Sequence, residues 1–159
     1  CALPILKMPG YSDYLFPLPG NLLLGIGKDA TDSGQVLGVR VALIDLKMPS
    51  SPRELQVLNF GERGSSSGLD YSSHGVNLLQ VGSITRVALP LSLAQQSGSN
   101  YIQGLQTISI DVDIGNMKAH KWMASTASTG SNDISRDRSV QIGNFVYYWS
   151  QNQLRAFQW

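Results

Sequence analysis

The sequence contains one cysteine, Cys1, so the chain has no cysteine pair that could form an internal disulfide. Charged residues make up only 14% of the 159 residues, and 12 basic against 11 acidic side chains give a net charge of +1. A basic face for nucleic acid or for an anionic membrane is therefore not expected. The apolar runs are no longer than strands, so no segment is predicted to span a bilayer as a helix.

Glycine and neutral polar side chains replace the missing charges. A surface rich in neutral polar residues is typical of secreted and cell-surface β proteins, and it predicts an extracytoplasmic location. Cys1 has two interpretations, the lipidated residue of a bacterial lipoprotein or an ordinary first residue of the sequence.

A strand-sized unit occurs twice in the chain. Residues 38–46 read GVRVALIDL and residues 104–112 read GLQTISIDV. Each copy begins with glycine, alternates in side-chain character and ends in Ile-Asp-aliphatic, which is the pattern of a strand that ends at a turn. Recurrence of a strand unit at long period favours a stacked or radial β architecture, above all the β-propeller.

The remaining segments also read as strand, turn and strand, and no helix is predicted. The fold class is therefore all-β: a partial β-propeller of about three four-stranded antiparallel blades, the last of which lacks its outer strand. Residues 1–8 are interpreted as the outer strand of a preceding blade. Residues 11–60 and 70–125 each fit one blade, and residues 138–159 fit an incomplete one.

About three blades cannot close a ring, because propellers have typically four to eight. We therefore expect the partners of this chain to include either the remaining blades of a longer polypeptide or a second copy of itself. The unpaired edge strands expected at both ends support that interpretation.

Several stretches, in the same order along almost the whole chain, resemble a known family. Its members carry GYSDYLHP, LLLGIGRD, GGRGSxS and RSVIIGDYVY, where this chain has GYSDYLFP (10–17), LLLGIGKD (22–29), GERGSSS (61–67) and RSVQIGNFVY (138–147). The segment at 39–52 is similar to the family's GRVTGLKVSLFDVSDPANP. The chain thus resembles the secreted prokaryotic proteins with a C-terminal β-propeller distantly related to WD40 repeats.

That resemblance implies an extracytoplasmic propeller within larger proteins and no established reaction. Two family histidines are absent. Phe16 stands where the family has YLHP, and residues 71–76 (YSSHGV) stand where it has YDHKAF. If those histidines had a chemical role, this chain has lost part of it.

Two segments match motifs that can carry chemistry. Residues 64–68 (GSSSG) have the form G-x-S-x-G, with Asp70 and His74 nearby, but a hydrolase needs strand, sharp turn and helix there, and a strand follows. We interpret this segment as a flexible loop. Residues 29–40 resemble a calcium loop, with Asp29 and Asp32 as candidate ligands, although the twelfth position is Arg40 and a turn explains the same residues. No zinc site is expected, because His74 and His120 are isolated.

The aromatic side chains concentrate in the second half of the chain, and we expect most of them to fill the packing between blades. Alternation must point Tyr148 opposite to Tyr147 and Trp149. Arginines beside acidic residues, at Arg63 and at 136–138, are interpreted as local bridges between loops.

The leading hypothesis is a binding or scaffolding module that presents loops 28–35, 61–74 and 125–138 to a protein or polysaccharide partner. The candidate ligand-binding residues are Asp29, Asp32, Arg63, His74, Arg136 and Arg138. One alternative is a hydrolase or metal-dependent enzyme with its site at the propeller channel, at Asp29, Asp32 or His74. Another is a purely structural part of a larger ring. No cofactor is expected, apart from calcium at Asp29 and Asp32.

Overall fold

A computed structural model describes residues 5–95, 100–125 and 133–159 of the protein. The described residues form three antiparallel sheets, which we call blades 1, 2 and 3. Blade 1 contains β1 (Tyr11–Leu18), β2 (Leu22–Ala30), β3 (Val36–Asp45) and β4 (Arg53–Phe60), hydrogen-bonded in that order. A 3-10 turn, Pro19–Asn21, joins β1 to β2.

Blade 2 has five strands instead of the four expected. They are β5 (Ser66–Ser67), β6 (Asn77–Val81), β7 (Ile84–Ala94), β8 (Tyr101–Asp111) and β9 (Asn116–Ala124). The short strands β5 and β6 share one edge of β7, and the 3-10 turn Gly68–Asp70 lies between them in the chain. Blade 3 contains β10 (Arg138–Ile142), β11 (Phe145–Ser150) and β12 (Gln153–Gln158) in that order.

The all-β, partial-propeller fold class predicted from the sequence is confirmed, and blade 3 has three strands within the described residues. The prediction that residues 1–8 form an outer strand stays a prediction: residues 1–4 lie outside the described residues, and residues 5–8 are in no strand of the described part. No helix in the described residues is long and apolar enough to cross a membrane.

The structure differs from the sequence prediction at the connections between strands. Strand β2 continues to Ala30, so only residues 31–35 of the predicted loop 28–35 connect it to β3. The predicted flexible loop around 64–68 is wrong, because residues 65–69 are buried and β5 pairs with β7. In the connection 125–138, residues 126–132 lie outside the described residues, while Ile134 and Asp137 are buried.

One hydrophobic core lies between blades 1 and 2. Alternate side chains of β2 and β3 point into it, such as Leu24, Ile26 and Val41, and they pack against Leu89 and Ile108 of blade 2. The strands are apolar on this face because each side chain here lies between two sheets. Blades 1 and 2 therefore share one core.

A smaller core lies between blades 2 and 3. Leu105 and Met123 of blade 2 meet Val146 and Tyr148 of blade 3. Burial of Tyr148 places Tyr147 and Trp149 on the opposite face of β11, as strand alternation predicts. The aromatic side chains are thus only partly packed: Trp149 is 43% exposed.

Candidate functional site

The predicted loops begin and end at the same edge of the sheets. In blade 1, Tyr11 at the start of β1 pairs with Lys28 near the end of β2, and Val39 pairs with Phe60 at the end of β4. In blade 2 the start of β8 pairs with the ends of β7 and β9. We call this edge the loop rim. The three predicted loops therefore belong to one surface.

A polar cavity of about 420 Å³ opens at the loop rim where blade 1 meets blade 2. We call it the rim cavity. Strand β1 and the 3-10 turn after β5 contribute most of its walls. Its lining residues are Tyr11, Asp13, Tyr14, Lys28, Leu69 and Asp70.

Lys28 joins the two blades at the floor of the rim cavity. Its Nζ donates to Asp70 Oδ2 at 2.5 Å and to the carbonyl oxygen of Ser65 at 2.8 Å. The hydroxyl of Ser67 donates to the other oxygen of Asp70 at 2.9 Å. Both side chains of the ion pair are largely shielded from solvent, which fixes their positions more firmly than at an open surface.

Asp13 is the acidic residue of the rim cavity whose carboxylate has no hydrogen-bond partner among the described residues. Within the described residues its carboxylate forms no hydrogen bond, whereas the carboxylate of Asp70 is already bonded twice. Burial and the nearby charge of Asp70 raise the pKa of Asp13, and the Lys28 ammonium partly offsets this effect. Asp13 can therefore accept a hydrogen bond from a ligand without disturbing the Lys28–Asp70 pair.

Aromatic surface lies beside these polar groups. Tyr11 is 49% exposed, and Tyr71, which follows Asp70 in the chain, is 47% exposed. Tyr14 is partly buried and its ring stacks on Phe16 at 6.3 Å between centroids. The arrangement combines flat apolar rings with hydrogen-bond acceptors, which are the groups that bind and orient amphipathic ligands.

Of the two predicted calcium ligands, Asp29 lies within β2 and Asp32 lies in the turn that follows it. Asn59 Nδ2 donates to Asp29 Oδ2 at 3.0 Å, and the Arg40 guanidinium lies 3.9 Å from the other oxygen. In the ranges 5–95, 100–125 and 133–159, no three His, Cys, Asp or Glu side chains converge so as to hold a metal ion. Calcium at Asp29 and Asp32 stays a prediction.

The other candidate residues lie on connections at the loop rim. Arg63, His74 and Arg136 are exposed. Arg138 donates from Nη1 to the carbonyl oxygens of Ser135 and Asp137, at 2.9 and 2.7 Å, so its contacts are local. No hydrogen bond or ion pair of the described residues joins any two of the six candidate ligand-binding residues, and their role in binding stays a prediction.

The serines of the G-x-S-x-G segment are packed inside the protein. The amide of Ala94 donates to Ser65 Oγ at 3.0 Å, and Ser67 bonds to Asp70. The hydroxyl of the middle serine, Ser66, is buried and has no hydrogen-bond partner among the described residues. The segment forms β5 and a 3-10 turn, where a hydrolase would have a helix.

The residues of the rim cavity were not identified from the sequence. The Lys28–Asp70 pair joins positions 42 apart in the chain, and no local pattern shows such a contact. One signal was available: Tyr11 and Asp13 belong to the GYSDYL stretch that carries the resemblance described above. The same stretch also supplies part of the lining of the cavity.

Comparison with known proteins gives a match to a family. A family model described as "Beta propeller domain" matches residues 2–159. The chain is 36% identical over 66 residues to an uncharacterized protein of Methanocaldococcus jannaschii. That segment is 42% of this chain and 10% of the relative, so the chain spans a small part of that protein's length. No solved structure matches the chain at a significant level.

Proposed function

Because the chain belongs to the beta propeller domain family, we propose that it is an extracytoplasmic binding module whose loop rim binds a neutral polysaccharide. Propellers are scaffolds, and their functions are carried by the residues placed on them. The observation that carries the proposal is the rim cavity, which combines the exposed ring of Tyr11 with the unbonded carboxylate of Asp13.

Sugars offer the chemistry that such a cavity can recognise. The apolar face of a pyranose ring packs on an aromatic ring, while its hydroxyl groups donate to carboxylate oxygens. The internal pairing of Lys28 with Asp70 leaves no unpaired cation in the cavity, which disfavours an anionic polymer. A protein segment would use the same tyrosine surface and is the alternative outcome of the test below.

The extracytoplasmic location rests on the composition. Only 14% of the residues are charged, and a surface of neutral polar residues is typical of secreted and cell-surface β proteins. The resemblance to secreted prokaryotic propellers supports the same location.

The three blades would act as part of a larger ring. Each outer blade has a sheet face against which no other described sheet packs, and the one on blade 3 carries exposed apolar side chains. Completion of the ring by further blades would cover these faces and fix the loop rim around a common channel. The rim cavity itself lies between blades 1 and 2, so its walls are present in this chain.

Titration with neutral polysaccharides, followed by calorimetry, tests the proposal on the chain and two variants. Tyr11→Ala removes the exposed ring, and Asp13→Asn removes the charged acceptor with little change of volume. We expect each variant to weaken binding about tenfold, equivalent to about 1.4 kcal/mol. Asp113→Asn is the matched control, because Asp113 is an exposed acid in the turn after β8, at the edge opposite the loop rim.

Absence of polysaccharide binding to the unaltered chain would overturn the proposal. Equal affinities of the chain, Tyr11→Ala and Asp13→Asn would also overturn it, since binding would then lie elsewhere. Binding of a protein that both variants weaken would keep the rim cavity as the site and replace the polysaccharide by a protein partner.

A further inference from the structure

Asp13 lies in a β-bulge of β1. Ser12 pairs with Gly27 and Tyr14 pairs with Ile26, so Asp13 has no partner residue on β2. A bulge adds one residue to a strand, bends its backbone and turns a side chain in a new direction. Asp13 is exposed, and it lines the rim cavity. The bulge therefore presents the Asp13 carboxylate to the rim cavity at a point where the regular pairing of β1 is interrupted.

The backbone of β1 lies close against β2 at this bulge because Gly27 has no side chain. A Cβ on Gly27 would lie 2.2 Å from the carbonyl oxygen of Tyr11 and 2.8 Å from the amide nitrogen of Asp13. Both distances are too short for atoms that are not bonded, so a side chain here would push the bulge away from β2. The position of Asp13 is thus set by the close packing of two backbones.

The rim cavity carries one negative charge that its lining, in the described part of the chain, does not neutralise. The charged side chains of that lining are Asp13, Lys28 and Asp70. Lys28 and Asp70 pair with one another, with 2.5 Å between Nζ and Oδ2. Partial burial raises the pKa of Asp13, Asp70 raises it further, and Lys28 offsets only part of this shift. A ligand that brings a positive charge to Asp13 is therefore favoured.

Tyrosine rings line the same cavity. Tyr11 is half exposed, and Tyr14 is partly buried with its ring stacked on Phe16. The face of an aromatic ring attracts a cation, and the apolar face of a pyranose packs on the same kind of surface. A lysine side chain would bring the charge on a flexible stem without a flat apolar surface, whereas an amino sugar brings both. The lining therefore suits an amino sugar better than an ammonium group alone.

We propose that the rim cavity binds a sugar unit that carries a protonated amino group, within an otherwise neutral polysaccharide. This inference rests on the function proposed above, and it names the unit that occupies the cavity. The ammonium group donates hydrogen bonds to the Asp13 carboxylate, and the apolar face of the same sugar packs on the ring of Tyr11. The Lys28–Asp70 pair stays intact, so Asp13 supplies the selection for the charged unit.

Two tetramers of β-1,4-linked N-acetylglucosamine test the proposal. They are identical except that one of them lacks the acetyl group on a single unit, which leaves a free amine. Binding to the full chain is measured by calorimetry at about pH 6 and about 50 mM salt, so that the amine is protonated, Asp13 is ionised and screening is weak. We expect the tetramer with the amine to bind about tenfold more tightly. N-acetyl-lysine amide, which carries an ammonium group without a sugar ring, should bind more weakly than either tetramer.

Three protein variants locate the binding site. Asp13→Asn keeps the size of the side chain but removes its charge, and it should reduce the preference for the amine to less than about twofold. Asp113→Asn removes a charge at the opposite edge of the sheets and should leave the preference unchanged. Gly27→Ala keeps every charge but displaces the bulge, so it should also reduce the preference. Asp13→Asn decides the proposal even if Gly27→Ala fails to fold.

The outcomes separate this inference from the function on which it rests. If neither tetramer binds, both the polysaccharide function and the inference are wrong. If the two tetramers bind equally, the polysaccharide function stands and the selection of an amino sugar is overturned. A preference that persists in Asp13→Asn, or that is lost in Asp113→Asn as well, would place the selection outside the rim cavity and overturn the inference. Tighter binding of N-acetyl-lysine amide than of the amine tetramer would replace the amino sugar by a lysine of a protein partner.

Discussion

A buried polar contact joins Tyr148 of blade 3 to Asp137, the residue that precedes β10. The Tyr148 side chain is fully buried between blades 2 and 3, and its hydroxyl donates to Asp137 Oδ2. Burial raises the pKa of Tyr148 above its ordinary value, and the hydrogen bond to Asp137 acts in the same direction, so the proton stays on the phenol. Burial also raises the pKa of Asp137, and the bond from Tyr148 opposes that shift.

Removing the phenolic hydroxyl should destabilise the protein. In Tyr148→Phe the ring still fills the core, but the buried Asp137 Oδ2 loses the hydrogen bond from the phenolic hydroxyl. We expect a loss of about 1–3 kcal/mol in the free energy of unfolding, measured by urea denaturation. Tyr147→Phe is the matched control, because the neighbouring ring lies on the opposite, partly exposed face of β11, and its loss should be below about 0.5 kcal/mol. Equal losses in the two variants would contradict a structural role for the Asp137 bond.

At the scale of the strand, the repeat begins with glycine for a packing reason. A Cβ on Gly38 would lie 2.4 Å from the carbonyl oxygen of Phe60, and one on Gly104 would lie 2.5 Å from that of Met123. In both blades the outer strand approaches the third strand too closely for a side chain. The glycine of each repeat is therefore required by the closeness of two backbones, with no unusual dihedral angle involved.

We expect Gly38→Ala and Gly104→Ala each to destabilise the protein by about 1–3 kcal/mol, because the backbone of the outer strand must shift to admit the methyl group. Urea denaturation of the two single variants measures the effect. A control is Ala156→Gly, which removes a methyl group at an exposed position of β12 and should cost about 1 kcal/mol or less. Unchanged stability of both alanine variants would show that the outer strands can move without cost.

The strands that the sequence predicted are those whose pattern is local. Alternation and the bounding turns place both ends of β3 within two residues of those observed, and for β8 they place the end within one residue and the start within three. The loop prediction for residues 65–69 was wrong for a physical reason. Ser66 and Ser67 are buried and pair with β7 through their backbones, and backbone pairing produces no hydrophobic pattern in the sequence. A run of serine and glycine residues has the same sequence pattern in a buried strand as in a loop.

The rim cavity could not be predicted for a related reason. Its walls come from β1, from the end of β2 and from the turn after β5, which meet only when blade 1 packs against blade 2. The predicted loops did identify the correct edge of the sheets, because connections between antiparallel strands alternate between two edges. The sequence could therefore predict the edge of the sheets at which the loops lie, but it could not predict which side chains line the cavity.

At the scale of the whole molecule, the chain has two sheet faces that correspond to its own internal interfaces. On the outer face of blade 1, Leu15 is 56% exposed in register with Gly25 and Ala42, while Ala42 and Ile44 themselves are 0% and 4% exposed. Their equivalents in the second repeat, Ile108 and Ile110, pack against blade 1 in the shared core. The outer face of blade 3 lies opposite to the face that packs on blade 2. Its apolar side chains are 43–62% exposed: Val140, Ile142, Phe145, Trp149 and Leu154.

These two faces should associate when the chain is alone in solution. The outer face of blade 1 corresponds to the face with which a blade packs on the preceding blade, and the outer face of blade 3 corresponds to the face that packs on the following blade. We expect light scattering after size exclusion to give a mass that is a multiple of 17.3 kDa. The double variant Ile142→Lys/Trp149→Lys should return it to 17.3 kDa, since charges on the face must be desolvated on contact. The control Met48→Lys/Ile114→Lys changes equally exposed apolar residues in turns and should keep the larger mass. A monomeric unaltered chain would contradict association through these faces, and the ring would then need blades that differ from those present here.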